Sequence, residues 1–68
     1  MTTQEALSAV RTATHDYLTA VATNALDEED MDWLDWLRVR SVERAREAGI
    51  EYQAVKAAIV EGMLEVAA

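Results

Sequence analysis

Two tryptophans three positions apart, Trp33 and Trp36, lie inside the most acidic stretch of the chain, LDEEDMDWLDWLRVR from Leu26 to Arg40. That stretch holds six of the thirteen acidic residues: Asp27, Glu28, Glu29, Asp30, Asp32 and Asp35. Carboxylates favour water, whereas indoles favour burial or a partner, so their interleaving suggests a surface that grips something. The chemistry on offer is recognition. Clustered acids steer a basic partner electrostatically. In the extreme case they imitate nucleic-acid phosphates and block a DNA- or RNA-binding protein. A plainer account stands beside this one: acids in the first turn of a helix suit its dipole, and both indoles cover a small core. At about 100° per residue, Trp33 falls at the margin of the core arc, while Trp36 falls on the polar side near Asp32, Arg40, Glu43 and Glu47. The residues assigned to partner binding are Trp33, Trp36, Asp32, Asp35 and Arg40.

Catalytic chemistry has little to work with. His15 is the single histidine and sits beside Asp16, with no nucleophile grouped near it in sequence, so it reads as a surface residue. There is no cysteine, which excludes disulfides and thiolate metal sites, and one histidine cannot build a His-based zinc site alone. The acidic run lacks the ligand spacing and central glycine of a calcium loop. No glycine-rich phosphate loop is present. The expectation is a non-enzymatic protein without cofactor or metal.

A second constellation is VERAREAGIEYQAVKAAI, Val42 to Ile59. Its spacing resembles a helix-turn-helix: Ala45, then Gly49 four residues on, then Ile50 and Val55. In that pattern the small residue lets two helices approach, the glycine makes the turn and the apolar positions lock the pair. The recognition helix would offer Tyr52, Gln53 and Lys56 to a major groove, with Gln53 suited to adenine and Lys56 to guanine or phosphate. Glu51 would bring a negative charge to the same groove. The same residues also describe a helix that simply ends at a glycine.

Three helices are expected to position these groups, over about 3–25, 28–48 and 51–66. Thr2 and Glu5 have capping-box spacing. The apolar face of the first helix is Ala6, Leu7, Val10, Ala13, Tyr17, Leu18, Val21 and Ala25, close to a 3.6-residue repeat. Asn24 to Asp27 predicts a turn, with Asp27 as the next N-cap. The core arc of the second helix is Met31, Leu34, Leu37, Ser41, Val42, Ala45 and Ala48, and Gly49 fits the left-handed position after it. Arg38 falls inside that arc. It is either a stem covering apolar surface and paired with Asp35, or an arginine bonded to a carboxylate of a second copy. The third helix carries two apolar stripes: Tyr52, Val55, Ile59, Met63 and Val66 on one face, and Ala57, Val60 and Leu64 on another. A helix apolar on two faces must bury both.

Composition sets the outer bounds. Sixty-eight residues make one domain, 1–68, too short to bury a large core. With disulfides and metals excluded, oligomerisation is the remaining supplement, so a homodimer is expected. Its self-association residues are Val60, Leu64, Ala57 and Arg38. There is no proline, and alanine, leucine, glutamate and arginine are plentiful, which favours helix. The expected fold is all-α: a small two- to three-helix domain, a helical hairpin plus a C-terminal helix, in a dimeric bundle. No apolar run approaches the roughly 20 residues that span a membrane, and the N-terminus lacks signal-peptide features, so a soluble cytoplasmic protein is expected. The net charge of −7 argues against a general nucleic-acid binder. The charge is uneven, because 38–56 is +2 while the remainder is −9.

These features converge on a small acidic regulatory protein that binds and modulates another protein, by inhibition. Accessory regulators of this type include phage or plasmid inhibitors of host regulators and nucleic-acid-binding proteins. The partner would carry a basic surface. The alternative is a dimeric helix-turn-helix transcriptional regulator using residues 42–59, with Tyr52, Gln53 and Lys56 on DNA.

Overall fold

Helix boundaries follow from local hydrogen bonds. In a computed structural model that describes residues 2–24 and 26–67, helix α1 spans Thr3–Thr23, α2 spans Glu28–Glu47 and α3 spans Tyr52–Ala67. Thr2 opens α1 with a complete capping box: its hydroxyl accepts from the Glu5 amide at 3.1 Å, and the Glu5 carboxylate accepts from the Thr2 amide at 3.1 Å. Asn24 closes α1 in the left-handed conformation, φ 50°, which asparagine tolerates better than most residues. Asp27 caps α2 by accepting from the Asp30 amide at 2.9 Å. Glu28, Glu29 and Asp30 in the first turn and Arg44 and Arg46 in the last both complement the α2 dipole. Gly49 takes φ 82° after α2, the turn conformation expected of it. Ala25, expected on the apolar face of α1, lies outside the described residues.

The chain is all-helical among the described residues, and α1 organises it. Both α2 and α3 pack along α1, while α2 and α3 touch each other little. Helix α2 returns antiparallel to α1, so that Ala6 and Ala9 lie across a groove from Arg40 and Arg44, and Asp16 lies across it from Trp36. Helix α3 runs in the same sense as α1, and Arg11 reaches Glu65 at 3.8 Å. The core is small: Ala6, Val10, Ala45, Ile50, Val55 and Ala58 are buried, with Leu7, Val42, Ala54 and Ile59 packed around them.

Several core expectations need correction. Val21, Ala48, Tyr52 and Met63 are exposed, while Thr14, Ala20, Ala58 and Gly62 are buried. The apolar arc of α1 is shared between α2 and α3, and Val21, near the end of α1, is left uncovered by both. In α3 the inward face is set by closest approach rather than by the largest side chains. Gly62 abuts α1 so tightly that a Cβ there would sit 2.6 Å from the Arg11 carbonyl oxygen and 3.0 Å from the Thr14 Cβ. Thr14 is tolerated in this dry contact because its hydroxyl donates to the Val10 carbonyl at 2.8 Å.

Gly62→Ala is expected to destabilise the fold by about 1–3 kcal/mol, because the obstructing atom is backbone and cannot rotate away. The gain in helix propensity, about 1 kcal/mol, offsets part of the loss. Chemical denaturation followed by helical circular dichroism measures the difference, and a variant as stable as the parent would show that the two helices can part freely.

Candidate partner-binding surface

The two indoles do not cover the core. Trp33 is 58 % exposed and Trp36 is 52 % exposed. They stack on each other, with ring centroids 5.2 Å apart and planes 13° from parallel. A three-residue spacing on a helix brings side chains to neighbouring positions, so the pair forms within α2 itself. The stack costs α2 little chain entropy and leaves a broad aromatic ridge facing solvent.

One flank of this ridge is acidic. Glu29, Asp30, Asp32, Trp33 and Trp36 line one shallow depression. Among the described residues, none of these three carboxylates has a basic partner, since the ion pairs are Arg11–Glu65, His15–Asp16, Arg38–Asp35 and Arg40–Glu47. The other flank is the α1–α2 groove, floored by Ala6, Ala9 and Ala13 and bordered by Leu37, Arg40 and Arg44. Trp36 belongs to both depressions and separates an acidic surface from a groove lined by Arg40, Arg44 and Asp16. The sequence pattern does not reveal this groove. Its signal was the spacing of small residues Ala6, Ala9 and Ala13 along one side of α1.

The remaining partner-binding candidates are partly committed within the chain. Asp35 accepts from the Arg38 guanidinium, with Nη2 at 2.6 Å and Nε at 3.2 Å. Arg40 donates to Glu47 across two turns at 3.0 Å. Asp32 remains free beside the indoles. Within the chain, Arg38 pairs with Asp35, and its guanidinium lies 5.2 Å from the Tyr17 ring centroid.

The helix-turn-helix candidates are also placed. Ala45, Ile50 and Val55 are buried together around the Gly49 turn. Tyr52, Gln53 and Lys56 are all exposed on α3. The Tyr52 ring lies beside the Arg46 guanidinium, 5.9 Å from its centroid. The self-association candidates Ala57, Val60 and Leu64 are exposed as well.

Among the described residues no cluster of histidines and carboxylates has metal-binding geometry. Every buried side-chain nitrogen and oxygen described has a hydrogen-bond partner, so no polar group is held in reserve inside the fold. No described helix is long and apolar enough to cross a membrane. Comparison of the chain with protein-family models, with curated proteins and with solved structures found no match.

The ridge makes a stability prediction. Trp36→Ala is expected to change the unfolding free energy by no more than about 1 kcal/mol, the value of one exposed aromatic pair. Val10→Ala, at a fully buried position, is expected to cost about 2 kcal/mol. Comparable losses at the two positions in a denaturant titration would mean that Trp36 serves the core.

Proposed function

We propose that the chain is a non-enzymatic interaction protein that binds another protein through the Trp33–Trp36 ridge and modulates it, by inhibition. The stacked and solvent-facing tryptophan pair carries this reading. Exposed tryptophan is costly to maintain in water and is enriched where proteins recognise one another. The unpaired Glu29, Asp30 and Asp32 beside it favour a partner with a basic surface, drawn in by long-range attraction and held by the indoles. Arginine suits both parts of such a surface, since its planar guanidinium stacks on indole while bonding to carboxylate.

A second reading, a helix-turn-helix regulator, draws support from the left-handed Gly49 between buried Ala45 and buried Ile50. Its reading face would be Tyr52, Gln53 and Lys56. The overall charge of −7 weighs against it, because Lys56 is the only cation of α3.

Affinity capture from a cell extract, with the chain as bait, is expected to retain one protein whose recovery is lost with Trp36→Ala and reduced with Asp32→Asn. Recovery that is indifferent to Trp36→Ala would remove the ridge from the function. For the second reading, DNA affinity should fall steeply with added salt and vanish with Lys56→Glu. A chain that ignores random and selected duplexes at low salt is not a DNA-binding regulator.

A further inference from the structure

The outward side of α3 holds a surface that neither reading explains. Val60 is 43 % exposed and Leu64 is 62 % exposed, and Ala57 lies between them and the exposed Gln53. At about 100° per residue these positions lie on the side of α3 opposite Val55, Ala58 and Gly62, which face α1. Positions 53, 57, 60, 64 and 67 alternate four and three apart, the heptad spacing of a coiled-coil seam. Lys56 and Glu61 flank the seam on its two edges, five residues apart. That is the spacing at which a lysine on one helix meets a glutamate on a parallel neighbour. Among the described residues neither Lys56 nor Glu61 has an ion-pair partner within the chain.

We propose that α3 is the seam of a parallel homodimer, in which Ala57, Val60 and Leu64 meet their own counterparts and Lys56 of each copy pairs with Glu61 of the other. The charges select the orientation. In a parallel pair the two-fold axis lies along the helices, so the lysine edge of one copy faces the glutamate edge of the second. In an antiparallel pair like edges meet, and the two Glu61 carboxylates would sit near the axis and repel. The occupant is a second copy because the strip complements itself in charge, with a lysine on one edge and a glutamate on the other at parallel-pair spacing. None of the seam positions 53, 57, 60, 64 and 67 carries a carboxylate, although the chain is acidic overall.

The chain exposes 4781 Å². A folded monomer of 7.6 kDa is expected to expose about 4300 Å². The excess, roughly 500 Å², is spread over the whole chain, the half-exposed tryptophans of α2 included, and shows a surface larger than a compact monomer of this mass presents. The radius of gyration, 11.9 Å, likewise exceeds the about 11 Å of a compact chain of this length. Arg38 lies on α2, where it pairs with Asp35 of the same helix, and has no place in a seam on α3. The seam also covers Gln53 and Lys56, so it and a DNA-reading α3 exclude each other. Neither tryptophan lies on this face, so the dimer stands or falls separately from the partner-binding ridge.

Sedimentation equilibrium of the full chain, from micromolar to millimolar, tests the seam. The parent is expected to reach twice its monomer mass, and Leu64→Glu to remain monomeric with unchanged helical content. Lys56→Glu and Glu61→Lys are each expected to raise the dissociation constant about tenfold. The double variant, with both charges exchanged, is expected to restore the parent value. Because the chain has no cysteine, Leu64→Cys should form a disulfide-linked dimer on oxidation, since in-register parallel helices bring position 64 against itself. A parent that stays monomeric throughout overturns the proposal. So does a dimer indifferent to Leu64→Glu, a double variant no better than the single ones, or a Leu64→Cys chain that does not cross-link.

Discussion

The close contact between α1 and α3 is the constraint on which the rest depends. Helix α1 is the only element that both other helices pack along, and its contact with α3 is set at Gly62, where there is no room for one further carbon. With the backbones this near, Thr14 is sealed from water and must satisfy its hydroxyl on its own helix. Val55 and Ala58 are drawn against Val10 and Ala6, which in turn brings Ile50 and the Gly49 turn under α2. A core of mostly alanine and valine holds together because it is close-packed, not because it is large.

Helix limits were legible because they are local. Thr2 with Glu5, Asn24, Asp27 and Gly49 each act through bonds or backbone angles within one turn, and all four occur as the sequence predicts. The inward face of α3 was harder to read. Periodicity marks which residues share a face, but it does not say how near a neighbouring backbone will come. Tyr52 and Met63 extend the apolar stripe toward solvent, while Ala58 and Gly62, four apart, take the interior. That small-residue pair was the available signal. The tryptophans were ambiguous for a related reason. The wheel places them away from the core arc, but only the three-dimensional packing shows that α1 and α3 fill the core without them.

Charge is distributed so that each group has a local reason to be where it is. The acids of residues 27–30 serve the start of α2, and Arg44 and Arg46 serve its end. Arg38 and Arg40 are each held by a carboxylate on the same helix. What remains is a thin layer of unmatched charge beside two exposed features, the indole ridge on α2 and the aliphatic strip on α3. These lie on different helices, each on a side away from the core, so a molecule covering one would leave the other open.

The placement of the indoles has an optical consequence. The only two tryptophans of the chain lie within one turn of α2, stacked together and already facing water. Their emission therefore reports the solvent side of one helix and carries little information about the interior. Global unfolding exposes only their covered half, so the emission maximum shifts less than it would for buried indoles. An arriving molecule that shields the ridge changes it much more. The pair is thus a fluorescent reporter of the outer side of α2 rather than of the core.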